Sequence, residues 1–369
     1  MKTTSYDAIV IGAGQAGPPL AIRLAKAGKR TALVEREHLG GTCVNDGCIP
    51  TKTLVASARA AHVARRAADY GVRLGGDVAV DMRAVKARKD GVVAQSIESL
   101  RKWLASTDRL TLVWGHARFT GPHAIDVNGE TLEAPQIFLN VGGRATLPSW
   151  PGIGDVPVLT NTTMMAIDAL PEHLVIAGGS YIGLEAAGVA TDARGFIVVD
   201  DELRTNVPGI WALGDVNGRG AFTHTAYNDH QIAATNLLGG ERRKVTDRIG
   251  AYALFTDPPL GRVGMTEAEV RKRGKPALVG VLPMTRVGRA RERGETQGFM
   301  TVLVDAESER ILGAALLCIE GDEIVHSLLD VMAADASYKV VERAVHIHPT
   351  VSELIPTLLE RLTPLDAHG

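Results

Sequence analysis

The chain has 369 residues, which is enough for two or three domains with a sizeable buried core. Hydrophobic residues make up 45% and charged residues 22% of the chain, a balance that excludes a disordered or fibrous protein. With 40 Lys and Arg residues against 42 Asp and Glu residues, the net charge of -2 excludes the basic surface typical of nucleic-acid binding or attachment to an anionic membrane.

The N-terminal sequence MKTTSYDAIVIGAG has one lysine and an apolar run of four residues, too short for the core of a signal peptide. No later stretch has the length of a transmembrane helix. The cysteines Cys43, Cys48 and Cys318 are too few for the disulfide framework of a small secreted protein. We therefore expect a cytoplasmic protein without a nucleic-acid or membrane partner.

The first predicted elements form a βαβ unit. A short apolar strand over residues 6–11 runs into GAGQAG, and the amphipathic helix PLAIRLAKAG and the strand TALVERE follow. Gly12, Gly14 and Gly17 lie at the turn, and Glu35 follows the last glycine by 18 residues. Strand, glycines, helix, strand and acid in this order predict a dinucleotide site, with the pyrophosphate at the helix N-terminus. The alternative is a glycine-rich turn that binds nothing.

Two long helices, around residues 51–69 and 82–105, are predicted next, and short strands follow in TLVWGHARF, AIDV and QIFLNVGG. The Gly- and Pro-rich stretch at 142–157 indicates a domain boundary. The glycine turn then recurs in HLVIAGGSYIGLE, with Ser180 in place of the second glycine. This repeat is either a second dinucleotide site or a turn without a ligand.

The pattern changes after residue 245. Strands are predicted in AYALFTDPPLGRVG, FMTVLVD and ILGAALLCI, and helices around residues 322–335 and 351–362. This succession indicates a separate α+β domain. The arginine-rich run from Arg286 to Arg293 contains glutamates and is typical of a solvated face.

Cys43 and Cys48 lie in GGTCVNDGCIPTK, directly before the first long helix. A structural zinc site needs two close ligand pairs, so we expect no metal site here and favour a redox dithiol. The helix N-terminus and Lys52 would favour a thiolate on Cys48. The alternative is two buried cysteines that only pack, and Cys318 in AALLCIEG is predicted to be such a core residue.

Five motifs together resemble the flavin-dependent pyridine nucleotide-disulfide oxidoreductases, the group of glutathione reductase, dihydrolipoamide dehydrogenase and mercuric reductase. They are GAGQAG with Glu35, GGTCVNDGCIPTK, GGSYIGLE, TNVPGIWALGDV and HPTVSE, in family order along almost the whole chain. The resemblance implies an α/β protein with a Rossmann-like FAD-binding domain in residues 1–155 and 193–245. It further implies the remnant of a Rossmann-like NAD(P)-binding domain in residues 156–192 and a C-terminal α+β dimerisation domain in residues 246–369.

The resemblance also implies the residues that bind FAD. The adenosine half would be held at the first glycine turn, the ribityl or pyrophosphate part at the GD motif, and the flavin near the dithiol. The corresponding residues are Gly12, Gly14, Gly17, Glu35, Thr42, Lys52, Gly142, Gly214 and Asp215.

In the family's mechanism, Cys48 would be the charge-transfer thiolate beside the flavin, and Cys43 would exchange with the disulfide substrate. Lys52 would pair with Glu185 near the flavin N5. His348, in the HPTVSE motif, would be the acid-base catalyst.

Glu353 would orient this histidine, a residue type suited to proton transfer near neutral pH. Because the histidine of the family reaches the dithiol of the other subunit, the resemblance implies a homodimer. The alternative is that His346 and His348 are ordinary surface histidines.

The chain departs from the family between the second glycine turn and the GD motif. The family has a nicotinamide-binding domain of more than a hundred residues there, whereas Gly178 to Asp215 spans 38 residues. One alternative is that FIVVDD supplies a second Rossmann strand with Asp200 as the ribose acid, 22 residues after Gly178. We favour FIVVDDELRTNVPGIWALGD as the return into the FAD domain. Either the protein lacks the nicotinamide domain, or the chain represents a longer protein without its central domain.

Two functional hypotheses follow. The first is an FAD-dependent NAD(P)H:disulfide oxidoreductase that passes electrons through flavin to a Cys43–Cys48 disulfide and on to a disulfide or related small-molecule acceptor. The second is a shortened, non-catalytic flavoprotein that acts as a redox sensor or binding partner. No cysteine follows Cys318, which disfavours mercury as the substrate, and the residues that would distinguish NADH from NADPH fall in the missing segment.

Overall fold

The computed structural model describes residues 3–143, 153–155, 157–169, 190–220, 222–239 and 241–365. The chain divides into two compact units, Met1–Thr246 and Asp247–Gly369. The second glycine turn, including Gly178, Ser180 and Glu185, lies outside the described residues.

The strands of the first unit are β1 (Thr3–Ser5), β2 (Ala8–Ile11), β3 (Thr31–Glu35), β4 (Leu110–Trp114), β5 (Ala117–Gly121), β6 (Ala124–Val127), β7 (Glu130–Glu133), β8 (Ile137–Leu139) and β9 (Ile210–Ala212). The helices are α1 (Gly17–Lys26), α2 (Gly41–Asn45), α3 (Cys48–Arg65), α4 (Met82–Ala105), α5 (Asn161–Met164) and α6 (Thr223–Leu238).

A parallel sheet forms the centre of the first unit, in the order β4-β3-β2-β8-β9. Every residue of β2 is buried, as expected for a parallel strand that is covered on both faces. Helix α1 connects β2 to β3, which confirms the predicted βαβ unit. Ligands of such sheets bind beyond the carboxyl ends of the strands. Gly12 and Glu35 lie at this edge.

A second, mixed sheet in the order β1-β7-β6-β5 belongs to the same unit. The predicted helix over 82–105 is confirmed as α4, and the Asp81 carboxylate caps it by accepting the Arg83 and Ala84 N–H groups at 2.9 and 3.1 Å. Helix α3 begins and ends earlier than predicted. Its first residue is Cys48, and the sequence after Arg65 forms a separate 3₁₀ turn, Ala67–Tyr70.

The FIVVDD segment does not form a Rossmann strand. Ile197 makes only an isolated antiparallel bridge to Thr191 and donates its N–H to the Val216 carbonyl at 2.9 Å. The Asp200 carboxylate accepts the Arg204 N–H at 2.9 Å and the Arg204 Nε–H at 2.7 Å, so it closes a turn. The chain then enters the parallel sheet as β9. This geometry favours a return into the first unit over a ribose-binding role for Asp200.

The second unit is built on an antiparallel sheet in the order β10-β11-β14-β13-β12-β15. Its strands are β10 (Ala251–Leu254), β11 (Leu260–Gly264), β12 (Ala277–Pro283), β13 (Phe299–Asp305), β14 (Ile311–Leu317) and β15 (Thr363–Pro364). Its helices are α7 (Glu267–Lys272), α8 (Gly288–Glu292), α9 (Gly321–Ile324), α10 (His326–Ala333), α11 (Lys339–Glu342) and α12 (Ile355–Leu359).

Most of the sequence predictions for the second unit are confirmed. The strands predicted from three segments correspond to β10, β11, β13 and β14, whereas β12, a continuous apolar run without alternation, was missed. The helix predicted over 322–335 is divided between α9 and α10. Cys318 follows β14 and is fully buried in the core, where desolvation raises the pKa of its thiol to about 12. This cysteine packs and is chemically unreactive.

Candidate active site

The first glycine turn has no room for side chains. A Cβ on Gly12 would lie 2.2 Å from the Asn140 carbonyl oxygen, and a Cβ on Gly17 would lie 2.1 Å from the Gly12 oxygen. Asn140 braces the turn by donating its Nδ2–H to the Gly12 carbonyl at 3.2 Å. No side chain caps the N-terminus of α1, which begins at Gly17. The turn therefore leaves the helix N-terminus accessible to an anionic group.

Glu35 lies at the end of β3 and is bound to the same turn. Its Oε2 accepts the Ala13 N–H at 2.7 Å, and its Oε1 accepts the Glu37 N–H at 2.8 Å. These contacts place the carboxylate beside the glycines. The Glu35 carboxylate retains further acceptor capacity for a ribose hydroxyl.

The loop that carries the cysteines begins against the glycine turn. Gly40 donates its N–H to the Ala13 carbonyl at 2.8 Å, and a Cβ on Gly41 would lie 2.8 Å from the Gly14 Cα. Both Gly40 and Gly41 have positive φ angles, of 88° and 58°, which favour glycine. Close packing therefore joins the start of the cysteine loop to the predicted dinucleotide site.

The GD motif forms a turn after β9 that is held by a buried carboxylate. Asp229 of α6 is 2% exposed, and its Oδ2 accepts the Gly214 N–H at 2.8 Å and the Asn217 Nδ2–H at 2.9 Å. The neighbouring Asp215 is partly buried, and desolvation raises the pKa of its carboxyl group, with further contributions from the negative charges of Asp229 and Cys48. Such a carboxylate is stabilised by hydroxyl donors.

The fold brings Cys43 and Cys48 together. Cys43 lies in the short helix α2, and Cys48 is the first residue of α3. Gly47 allows the tight connection, because a Cβ there would lie 2.9 Å from the Thr42 carbonyl oxygen. Both cysteines are free thiols, Cys43 partly buried and Cys48 exposed, and a hydrogen bond joins their side chains. The two thiols therefore interact directly, as the partners of a redox dithiol do.

The two sulfurs differ strongly in acidity. The hydrogen bond from the Cys43 thiol lowers the pKa of Cys48 to about 5, against the opposing effect of burial, and the Thr223 hydroxyl, the backbone N–H and the Lys52 charge assist. The bond to Cys48 and burial together raise the pKa of the Cys43 thiol far above its ordinary value. At neutral pH the reduced pair therefore holds a thiolate on Cys48 and a proton on Cys43.

This asymmetry predicts the pH dependence of the reduced protein. Because the pKa of Cys48 is about 5, its thiolate is present at neutral pH and is lost as the pH falls through that value. Ultraviolet absorbance of the thiolate, recorded from about pH 4 to about pH 9, measures this titration. Its midpoint is then compared with the ordinary cysteine value of about 8.5. Cys48→Ser is the matched control and should lack the acidic transition. An acidic transition of equal size in that variant would contradict the assignment.

His348 and Glu353 form a hydrogen-bonded pair in the second unit. His348 Nδ1 lies 2.7 Å from Glu353 Oε2, which also accepts the Thr350 N–H at 3.2 Å. The side chain of Glu353 is 10% exposed and that of His348 is 79% exposed. A buried carboxylate thus fixes the Nδ1 side of an exposed imidazole and leaves Nε2 for proton transfer. His346 differs, because its Nδ1 contacts the Ser352 carbonyl at 2.8 Å.

The remaining predicted site residues are Glu185, Gly142 and Thr42. Glu185 lies outside the described residues, so its pairing with Lys52 stays a prediction. Gly142 has a φ of 63° and open space around it, and Thr42 is exposed. Within the described ranges, no cluster of three His, Cys, Asp or Glu side chains is arranged to hold a metal ion. None of the helices in those ranges is long and apolar enough to cross a membrane.

Comparisons with known proteins agree with these features. A family described as pyridine nucleotide-disulphide oxidoreductase matches residues 6–193 and 184–229, and its dimerisation domain matches residues 251–359. The chain is 31% identical to the probable pyridine nucleotide-disulfide oxidoreductase RclA of Escherichia coli strain K12, over 96% of this chain and 98% of that protein. Dihydrolipoyl dehydrogenase of Haloferax volcanii is 29% identical, with 95% of each chain covered.

A solved structure is also similar. The HOCl-induced flavoprotein disulfide reductase RclA from Escherichia coli has a TM-score of 0.86 and 29% identity, and the match covers 96% of this chain and 100% of that chain.

The alignment with the Escherichia coli protein also contains positions that this chain lacks. It runs over 451 positions, whereas this chain has 369 residues. Because 451 minus 369 is 82, at least 82 positions have no counterpart in this chain. The difference agrees with the short interval between Gly178 and Asp215.

Proposed function

The chain belongs to the pyridine nucleotide-disulphide oxidoreductase family, a family of flavoprotein disulfide reductases, and we propose that it uses FAD to exchange electrons between Cys43–Cys48 and an external disulfide. The observation that carries the proposal is the pair of interacting thiols, with a lowered pKa on Cys48 and a raised pKa on Cys43, in a loop that packs through Gly41 against the glycine turn. A structural pair of packed cysteines has no need of this division of charge.

The residues present fit FAD. Gly12, Gly14 and Gly17 allow the tight turn at the helix N-terminus where a pyrophosphate would bind, Glu35 would accept the adenosine ribose hydroxyls, and Asp215 would accept a hydroxyl of the ribityl chain. Thr42, Lys52, Gly142 and Gly214 would complete the site. Bound FAD supplies a two-electron carrier between a hydride donor and the cysteine pair.

The protein side chains carry out the exchange with the substrate. Removal of the proton from Cys43 allows its sulfur to attack the substrate disulfide, and the first substrate thiol leaves with a proton. The Cys48 thiolate then attacks the Cys43 sulfur of the mixed disulfide, which releases the second substrate thiolate and forms the Cys43–Cys48 disulfide. The elevated pKa of Cys43 creates the need for a base, and His348, oriented by Glu353, would supply it.

The dimerisation domain supports a homodimer as the working form. We propose that His348 of one protomer serves the dithiol of its partner, as the family pattern implies. The exposed imidazole and its buried carboxylate partner suit this role. The small-molecule acceptor is proposed only as a disulfide or a related group, because no side chain in the described site selects a particular one.

The shortened centre of the chain favours a second candidate, a flavoprotein that equilibrates with cellular thiols as a redox sensor. The experiment is an anaerobic titration of the FAD-loaded protein with NADH, NADPH and a small dithiol in separate cuvettes. Flavin bleaching by a nicotinamide at catalytic rates would support the reductase, whereas bleaching by the dithiol alone would support the sensor. Failure of the dithiol and of a disulfide to exchange electrons with the protein would contradict both.

A further inference from the structure

The N-termini of two helices lie next to the sulfur of Cys48. Cys48 is the first residue of α3 and Thr223 is the first residue of α6, helices of 18 and 16 residues. The Thr223 Oγ1 lies 3.1 Å from the Cys48 Sγ. Because each helix carries a positive partial charge at its N-terminus, both helices and the hydroxyl favour negative charge at this sulfur.

The direction of the bond between Thr223 and Cys48 depends on the state of the sulfur. A thiolate has no proton to donate, so the hydroxyl must donate, and the bond is charge-assisted. A disulfide sulfur is uncharged and a weak acceptor. The Thr223 hydroxyl also favours the ionised form of Cys43, and its contact with Cys48 at 3.1 Å places it beside the sulfur that carries the charge of the pair. The hydroxyl therefore discriminates between the reduced and the oxidised pair.

We propose that Thr223 is a positioning residue that holds the Cys48 thiolate and thereby sets the reduction potential of the Cys43–Cys48 pair. The proposal rests on the redox function proposed above for these cysteines. Reduction of the disulfide takes two electrons and, at neutral pH, one proton, which resides on Cys43 while Cys48 remains ionised. An interaction that stabilises only this product shifts the equilibrium toward the reduced pair.

The side chain of threonine permits a matched series. Thr223→Val keeps the β-branched shape and removes the hydroxyl, whereas Thr223→Ser keeps the hydroxyl and removes a methyl group. Thr223→Ala provides the same comparison if valine is not accommodated. Thr235→Val is the control on the same helix, because the Thr235 hydroxyl contacts Arg23 at 3.3 Å, away from the cysteines.

The experiment equilibrates each full-length, FAD-loaded variant with glutathione redox buffers, traps the thiols by acid quench and alkylation, and counts them by mass. Thr223→Val should shift the equilibrium about tenfold toward the disulfide, equivalent to a potential about 30 mV lower. The thiolate titration of its reduced form should move upward by about one pH unit. Thr223→Ser and Thr235→Val should stay close to the parent protein in both measurements.

An unchanged equilibrium and titration in Thr223→Val would overturn the proposal. So would an equal shift in Thr223→Ser, because a lost methyl group would then explain the result. If the parent protein forms no Cys43–Cys48 disulfide in any glutathione buffer, the proposed redox function fails, and the thiolate titration alone still decides whether Thr223 holds the Cys48 thiolate.

Discussion

Replacement of Cys48 by serine is expected to abolish reoxidation of the chemically reduced protein by an external disulfide. Cys43 would still form a mixed disulfide with the substrate, but no second sulfur would release it. Loss of Cys48 also removes the thiolate that the hydrogen bond, the helix N-terminus and Lys52 stabilise. The long-wavelength absorbance of a thiolate beside the flavin should disappear with it. Anaerobic stopped-flow mixing with an aromatic disulfide measures the rate, and mass spectrometry detects the trapped adduct on Cys43.

Cys318→Ser is the matched control for this prediction. Its sulfur is fully buried in the second unit, and its raised pKa makes it unreactive, so reoxidation should proceed at the parent rate. Disulfide exchange at the parent rate in Cys48→Ser would show that the electrons bypass the pair. It would remove Cys48 from the mechanism.

Replacement of His348 by alanine is expected to slow disulfide exchange by about 10²- to 10⁴-fold, the range of general acid-base catalysis. The effect should be large because the thiol of Cys43 has a strongly raised pKa and needs a base to become a nucleophile. Chemical reduction of the flavin by dithionite should proceed at the parent rate, since it does not use the imidazole. Separate stopped-flow measurements of reduction and of disulfide exchange distinguish the two steps.

His346→Ala is the control, because it removes a neighbouring histidine that contacts a backbone carbonyl instead of a carboxylate. Glu353→Gln should give a smaller loss than His348→Ala, since glutamine retains a hydrogen-bonding oxygen but not the charge that stabilises an imidazolium. Equal slowing of flavin reduction and disulfide exchange in His348→Ala would contradict the assigned role.

The sequence predicted the parts of the fold that depend on local order along the chain. The βαβ unit from β2 to β3 could be inferred because strand, glycine turn, helix and Glu35 follow one another without interruption. Helix α4 matched its predicted bounds, since an aspartate caps its start. The boundary of α3 was less accurate, because Cys48 and Ile49 precede Pro50 and the helix was predicted to begin after the proline.

The parts of the site that depend on long-range contacts could not be inferred. Thr223 lies 175 positions from Cys48, and Asn140 lies 128 positions from Gly12, so spacing along the chain does not indicate either contact. Asp229 lies on the buried face of α6, but its partners Gly214 and Asn217 belong to the turn after β9, so the sequence alone does not indicate these contacts. Polar residues that brace a site are specified by tertiary packing and lack a local pattern.

The central claim is that Cys43 and Cys48 form a redox centre in contact with bound FAD. An anaerobic dithionite titration of the oxidised, FAD-loaded protein tests it most directly, because flavin and disulfide each accept two electrons. Full reduction should consume about two equivalents of dithionite in the parent protein and about one in Cys48→Ser. Consumption of about one equivalent by both proteins would mean that the cysteines take no electrons, and would contradict the proposed function.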